Sequence, residues 1–101
     1  MTNLELMIEN WHERKFGKTV NLPATYRKLL EEVGELGEAI IKQDADAIRE
    51  ESGDVAFVLT HIVRAGCPDH PSLAQAMDKA LLKNEGRLAE SRSEGYRFLK
   101  D

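Results

Sequence analysis

The sequence predicts an all-α domain of four helices. Three observations carry that reading. Apolar residues recur at three- and four-residue spacing in four segments, Gly, Pro and Asp mark the joins between them, and no stretch alternates polar and apolar as a strand would.

Thr2 and Glu5 have the spacing of a capping box, and Leu4, Met7, Ile8 and Trp11 then keep a helical period to about Lys15. Phe16-Gly17-Lys18 ends this helix and a loop continues to Leu22. Trp11 reads first as a core residue. The alternative, with Phe16, is a wall for a planar ligand, which makes Trp11 a candidate substrate-binding residue.

Pro23 suits the first turn of a second helix, because its missing N–H would have no intrahelical partner there. That helix should reach about Gln43. Leu29, Leu30, Val33, Leu36, Gly37, Ile40 and Ile41 form its apolar face, and its glutamates project away from it. Gly34 and Gly37 share a flank and each costs about 1 kcal/mol relative to Ala, so they predict close approach of another helix backbone. Asp44 or Asp46 can cap a third helix running to Ala65, with Gly66 and Pro68 as its stop signal. Its buried stripe is Ile48, Val55, Val58, Leu59 and Ile62. His70-Pro71-Ser72 should start the fourth helix, with Pro71 in the first turn and a stripe of Leu73, Ala76, Met77, Ala80, Leu81 and Leu88. The closing Gly95-Tyr96-Arg97-Phe98-Leu99 should dock on the body.

A chain of 101 residues makes one domain. At that size only roughly 60–65% of the unfolded surface is buried, so subunit association is a natural way to complete the core. Hydrophobic residues make up 42% and charged residues 32%, the balance of a globular protein rather than a disordered one. A net charge of -4 argues against binding nucleic-acid polymers or anionic membranes. Cys67 is the only cysteine, which excludes an intramolecular disulfide and suits a reducing compartment. With no signal-peptide core and no membrane-length apolar run, the expected location is the cytoplasm.

The chemistry concentrates between Lys28 and Asp54. Glu31, Glu32, Glu35 and Glu38 lie on the second helix, Glu51 and Asp54 on the third. Residues three apart are neighbours on a helix surface, so Glu32 with Glu35, and Glu51 with Asp54, each form a two-carboxylate jaw. Two facing jaws make an oxygen-rich cage for Mg2+, with Mn2+ as the alternative. Acidic helix faces are usually only solvated, and Glu31 to Glu38 fit that bland reading. Glu51 does not. It falls inside the apolar stripe of its helix, where a carboxylate is costly unless paired, protonated or bound to a cation. No basic residue stands three or four positions away.

A second anomaly lies on the fourth helix. Asn84 interrupts the apolar stripe, with Lys83 and Arg87 beside it. One reading is a helix-to-helix hydrogen bond that fixes register; the other is a ligand-facing Lys83/Asn84/Arg87 cluster for phosphate and base or sugar. There is no zinc-type Cys/His spacing, no glycine-rich phosphate loop after a strand, and no Ser–His–Asp set. His12, His61 and His70 read as surface or helix-end residues.

Glu31-Glu32-Val33-Gly34-Glu35 followed by Glu51-Ser52-Gly53-Asp54 resembles the EExxE…ExxD signature of the MazG-like all-α nucleoside triphosphate pyrophosphohydrolases. Pro23, Leu36 and Val55-Ala56-Phe57 match its surroundings, and the likeness covers about residues 4 to 98 of what would be a single MazG-like domain over 1–101. The resemblance implies an antiparallel four-helix bundle, assembled as a homodimer or homotetramer. It implies catalytic acids at Glu31, Glu32, Glu35, Glu51 and Asp54, the last four holding Mg2+. The implied reaction splits a nucleoside or deoxynucleoside triphosphate into the monophosphate and pyrophosphate, with Lys83, Asn84 and Arg87 on the substrate. One departure is Ala80, where the family often has a lysine; Lys79 and Lys83 stand on either side. The related phosphoribosyl-ATP pyrophosphohydrolases are the second reading, but their aromatic–histidine pair is matched here by Phe57-Val58, and His61 comes too late. A non-catalytic helical regulatory module is the third, and Glu51 and Asn84 inside apolar stripes argue against it.

Overall fold

The computed structural model describes residues 3–100, with side chains over 4–92. It consists of α1 (Asn3–Phe16), α2 (Leu22–Ile41), α3 (Ala45–Gly66) and α4 (Leu73–Lys100), and no strand occurs among the described residues. The all-α class and the four helices are those that the periodicity predicts.

Local chemistry explains most helix ends. Gly17 leaves α1 at φ 73, in the left-handed region that glycine enters without a Cβ penalty. Asn21 caps α2, its side chain accepting from Ala24 N–H at 3.1 Å, and Pro23 sits in the first turn. At the other end Gln43 N–H donates to Ile40 O and Asp44 N–H to Ala39 O, both at 3.1 Å, the bond pair of a Schellman motif. Gln43 takes the left-handed position there, at φ 55. Asp44 then caps α3 by accepting from Ala47 N–H at 3.1 Å. Only Lys42, Gln43 and Asp44 separate the two helices, so α2 and α3 pack as antiparallel neighbours.

The start of α4 differs from expectation. Pro71 precedes the cap and Ser72 occupies it. Gln75 N–H donates to Ser72 Oγ at 3.0 Å and Ser72 N–H to Gln75 Oε1 at 2.8 Å, a reciprocal capping box. Glu5 reaches beyond its own helix. Its buried carboxylate accepts from Leu73 N–H and Ala74 N–H, so α1 caps α4 across the fold. Thr2, the other half of the expected box, and the side chains of the closing aromatic segment lie outside the described residues.

Packing departs from the sequence reading more than the helices do. The α2–α3 pair is the centre, and α1 and α4 lean mainly on α3. Among the described residues Ala39 and Val58 are the buried apolar ones, while Tyr26, Leu30, Val33, Ile40 and Ile41 of α2 are exposed, Ile41 at 82%. Leu30, Val33, Ile40 and Ile41 of the apolar face predicted for α2 therefore point outward, Leu29 and Leu36 are half-buried, and the edge with Glu32 and Ala39 is the buried one. Gly34 and Gly37 meet no neighbouring backbone among the described residues. On α1 the stripe is rotated likewise: Leu4 and Met7 are exposed, whereas Glu5 and His12 are buried. The radius of gyration is 17.5 Å, against about 13 Å for a compact chain of 100 residues. No described helix is long and apolar enough to cross a membrane.

Candidate active site

Antiparallel pairing brings Glu51 of the second acidic jaw up to Glu32 and Glu35 of the first. Oxygens of Glu32, Glu35 and Glu51 lie within 4.8 Å of one another. Glu32 is buried at 6% exposure. Its Oε1 takes Lys28 Nζ at 3.1 Å, and its Oε2 has no hydrogen-bond partner. Glu51 Oε2 is likewise buried and unpartnered. Asp54 is exposed and acts on Glu51 through its charge. Glu31 turns away from the group, its side chain 66% exposed and paired with Lys28 at 3.5 Å. Lys28, one turn before Glu32, is a cation at the site that the sequence reading passed over, though its i, i+4 spacing signals the pair.

The Glu51 carboxyl is pushed up to about 7, first by the loss of water around it, then by neighbouring Glu35, with the charges of Asp54 and Glu32 adding to it. Burial of the charged form produces most of this shift, and nearby like charges add to it. Two unsatisfied buried carboxylate oxygens in an all-oxygen donor set fit a hard divalent cation of the Mg2+ or Mn2+ kind.

Glu32 and Asp54 line a cavity of about 880 Å³ between α1, α3 and the start of α2, while Glu35 and Glu51 stand behind that lining. Lys28, Glu32 and Asp54 mark one part of its lining. Trp11, His12, Phe57 and His61 supply rings, and Glu9 and Arg64 stand with them. Trp11 is 36% exposed and meets Phe57 edge-on at 4.9 Å, so it is a cavity wall rather than a buried core residue. Lys15 lies over its ring at 5.2 Å.

His12 and His61 are not the surface or helix-end residues that the sequence suggested. His12 is buried and His61 half-buried, and their rings stack at 4.3 Å with 8° between planes. His12 Nδ1–H donates to Ile8 O at 3.0 Å, and His61 Nδ1–H donates to Glu9 Oε1 at 3.1 Å. Burial holds the His12 pKa below its ordinary value. Glu9, His12 and His61 also have donor atoms within 4.8 Å. Parallel stacked rings direct their in-plane lone pairs along separate planes, which does not suit convergence on one ion. A sequence signal for His61 did exist: Asp54, Phe57, His61 and Arg64 recur at helical spacing, and all four line the cavity. His12 lies 49 residues from His61 and no local pattern joins them.

Lys83, Asn84 and Arg87 are exposed on α4, and none lines the cavity. Asn84 is not buried in a stripe; its Nδ2–H donates to Ala80 O at 2.8 Å on its own helix, because residues 81–92 are exposed throughout.

A family model, the MazG nucleotide pyrophosphohydrolase domain, matches residues 21–90. No curated protein and no solved structure matches the chain.

Proposed function

Because the chain belongs to the MazG nucleotide pyrophosphohydrolase domain family, we propose that it hydrolyses a nucleoside or deoxynucleoside triphosphate to the monophosphate and pyrophosphate. The observation that carries this is the pair of buried, unpartnered oxygens on Glu32 and Glu51, set in an acidic group beside a nucleotide-sized cavity. Water adds across the α–β phosphoanhydride. Its oxygen stays on one phosphoryl group, the bridging oxygen leaves with the other, and a proton is released.

Glu32, Glu35, Glu51 and Asp54 would hold Mg2+. When bound, such an ion offsets phosphate charge and makes water a stronger acid. Lys28 brings a point charge to the same region of the cavity and suits a phosphate oxygen. Trp11 and Phe57 offer ring faces to a base. Glu31, paired outward with Lys28, orients that lysine rather than holding metal.

The exposed apolar residues of α2, together with Met77, Leu81, Leu82 and Leu88 of α4, point to a homodimer or homotetramer. In that assembly Lys83, Asn84 and Arg87 would reach the phosphates of a second subunit's substrate.

Pyrophosphate release from a panel of triphosphates, with Mg2+ and then with a chelator, tests the activity. Sedimentation tests the assembly. Metal-dependent release is expected. No release from any nucleotide would overturn the reading, and a folded monomer at micromolar concentration would overturn the oligomer.

A further inference from the structure

The imidazole wall answers a question that the acids leave open, namely what recognises the base. Glu9 Oε1 accepts from His61, and Glu9 Oε2 lies 4.0 Å from Arg64 Nε. A carboxylate has about four lone-pair sites, so both oxygens keep capacity toward the cavity that Glu9 lines. His12 commits Nδ1–H to the Ile8 carbonyl and His61 commits Nδ1–H to Glu9, and in that tautomer Nε2 is the acceptor nitrogen of each ring. Neither Nε2 has a protein partner among the described residues. Three side chains in one part of the cavity thus present acceptors, with a guanidinium beside them.

Base edges sort cleanly against such a wall. Adenine and cytosine offer one amine next to a ring-nitrogen acceptor, which a carboxylate repels. Thymine and uracil offer one N–H between two carbonyls. Guanine offers two adjacent donors, N1–H and the 2-amino group, with a 6-carbonyl beside them that suits a guanidinium donor. Resting on the nucleotide reading above, we infer that Glu9, held by His61 and flanked by His12 and Arg64, selects guanine nucleotides at the base end of this site. The His61–Glu9 and His12–Ile8 bonds fix the orientation of the reading groups before substrate arrives, and the Trp11 and Phe57 rings stand in the same wall.

The test compares kcat/KM for pyrophosphate release from dGTP, GTP, dITP, dATP, dCTP and dTTP. A further arm titrates dGMP and dAMP against the fluorescence of Trp11, the only tryptophan, which needs no turnover. A bidentate base contact discriminates by about 1–3 kcal/mol, so dGTP should exceed dATP, dCTP and dTTP by roughly tenfold or more. In the wild type, dITP, which lacks the 2-amino group, should fall well below dGTP, and GTP against dGTP shows which sugar is taken. Glu9→Gln should shrink the dGTP-to-dATP ratio about tenfold. Equal kcat/KM across the bases, equal rates for dITP and dGTP, or an unchanged ratio in a folded Glu9→Gln would overturn the inference. The dITP comparison decides it if that variant does not fold. Hydrolysis without base preference sinks the guanine assignment and leaves the activity standing. Selective dGMP binding without hydrolysis does the reverse, and neither binding nor hydrolysis sinks both.

Discussion

Glu35 and Glu51 meet across the α2–α3 hairpin because they are equidistant from its turn: Glu35 lies eight residues before Gln43 and Glu51 eight after. Glu32 and Asp54 lie eleven before and eleven after. A tight antiparallel turn therefore converts two i, i+3 jaws into one group of acids. The spacing of the motif and the geometry of the turn are one constraint, and lengthening the Lys42–Asp44 link by one residue would misalign every pair.

That constraint predicts a graded mutational series. Glu32→Ala and Glu51→Ala should each lower kcat by about a hundredfold or more, since each removes a buried oxygen at the proposed metal position. Glu38→Ala should stay within about threefold, and Glu31→Ala should fall between, acting through Lys28. Steady-state kinetics with saturating Mg2+ checks the order. Near wild-type turnover in Glu51→Ala would remove the basis for the site.

The turn itself carries strain that can be relieved. Gln43 holds φ 55 at the position where helices usually place Gly. An L-residue there costs roughly 1 kcal/mol, so Gln43→Gly should raise unfolding free energy by about 0.5–1 kcal/mol. Urea denaturation reads the change, and a loss of stability would show that the Gln43 side chain has a compensating role.

How much of this was legible in the sequence differs between local and tertiary features. Helix positions were readable because Pro23, Asp44, Gly17 and Gly66 act on their own neighbours. The Ser72–Gln75 box is equally local, with Pro71 just outside it. Inward faces were not readable, because periodicity shows that one side of a helix is apolar without showing what covers it. On α2 Leu30, Val33, Ile40 and Ile41 of that side face outward in the single chain, and on α1 the inward side is Glu5 and His12. The EExxE…ExxD acids were legible as spacings. The Glu9–His12–His61 wall was not, since it exists only after α1 docks on α3.

The crowded acids also predict a pH dependence of the metal-free protein. The Glu51 carboxyl, raised from 4.5 to about 7, binds its proton more tightly when folded than when unfolded. The stability it contributes is fully present below about pH 4.5 and is lost as pH rises through about 7. His12 acts oppositely. Its pKa is lowered from 6.5 by burial, so its contribution is present above that value and lost on acidification. Subtracting the Tm of Glu51→Gln isolates the first effect, leaving His12 common to both proteins. The wild type should lose ground to the variant between about pH 5 and pH 8, and Mg2+ should restore it at the upper end. A difference flat with pH, or no Mg2+ effect, would refute the raised Glu51 carboxyl and its place in the metal site.

The last prediction concerns Lys83, Asn84 and Arg87, which stand exposed on α4 and line no part of the cavity in their own chain. An acidic metal group attracts Mg2+ but repels a triphosphate, and Lys28 is already paired with Glu32 and Glu31. Further positive charge is needed at the phosphates. The α4 helix carries these cations beside the exposed Leu81, Leu82 and Leu88, so whatever covers those leucines receives the cations too. If a second copy covers them, Arg87→Ala should raise KM for the nucleotide about tenfold and leave Mg2+ affinity of the free enzyme unchanged. The decisive measurement mixes Glu51→Ala with Arg87→Ala after co-refolding. Each parent is impaired, but a mixed dimer has one site with intact acids from one chain and an intact arginine from the other. Random pairing should then regenerate about a quarter of wild-type sites at limiting substrate. A mixture no more active than the mean of its parents would assign the α4 cations to a solvated helix edge.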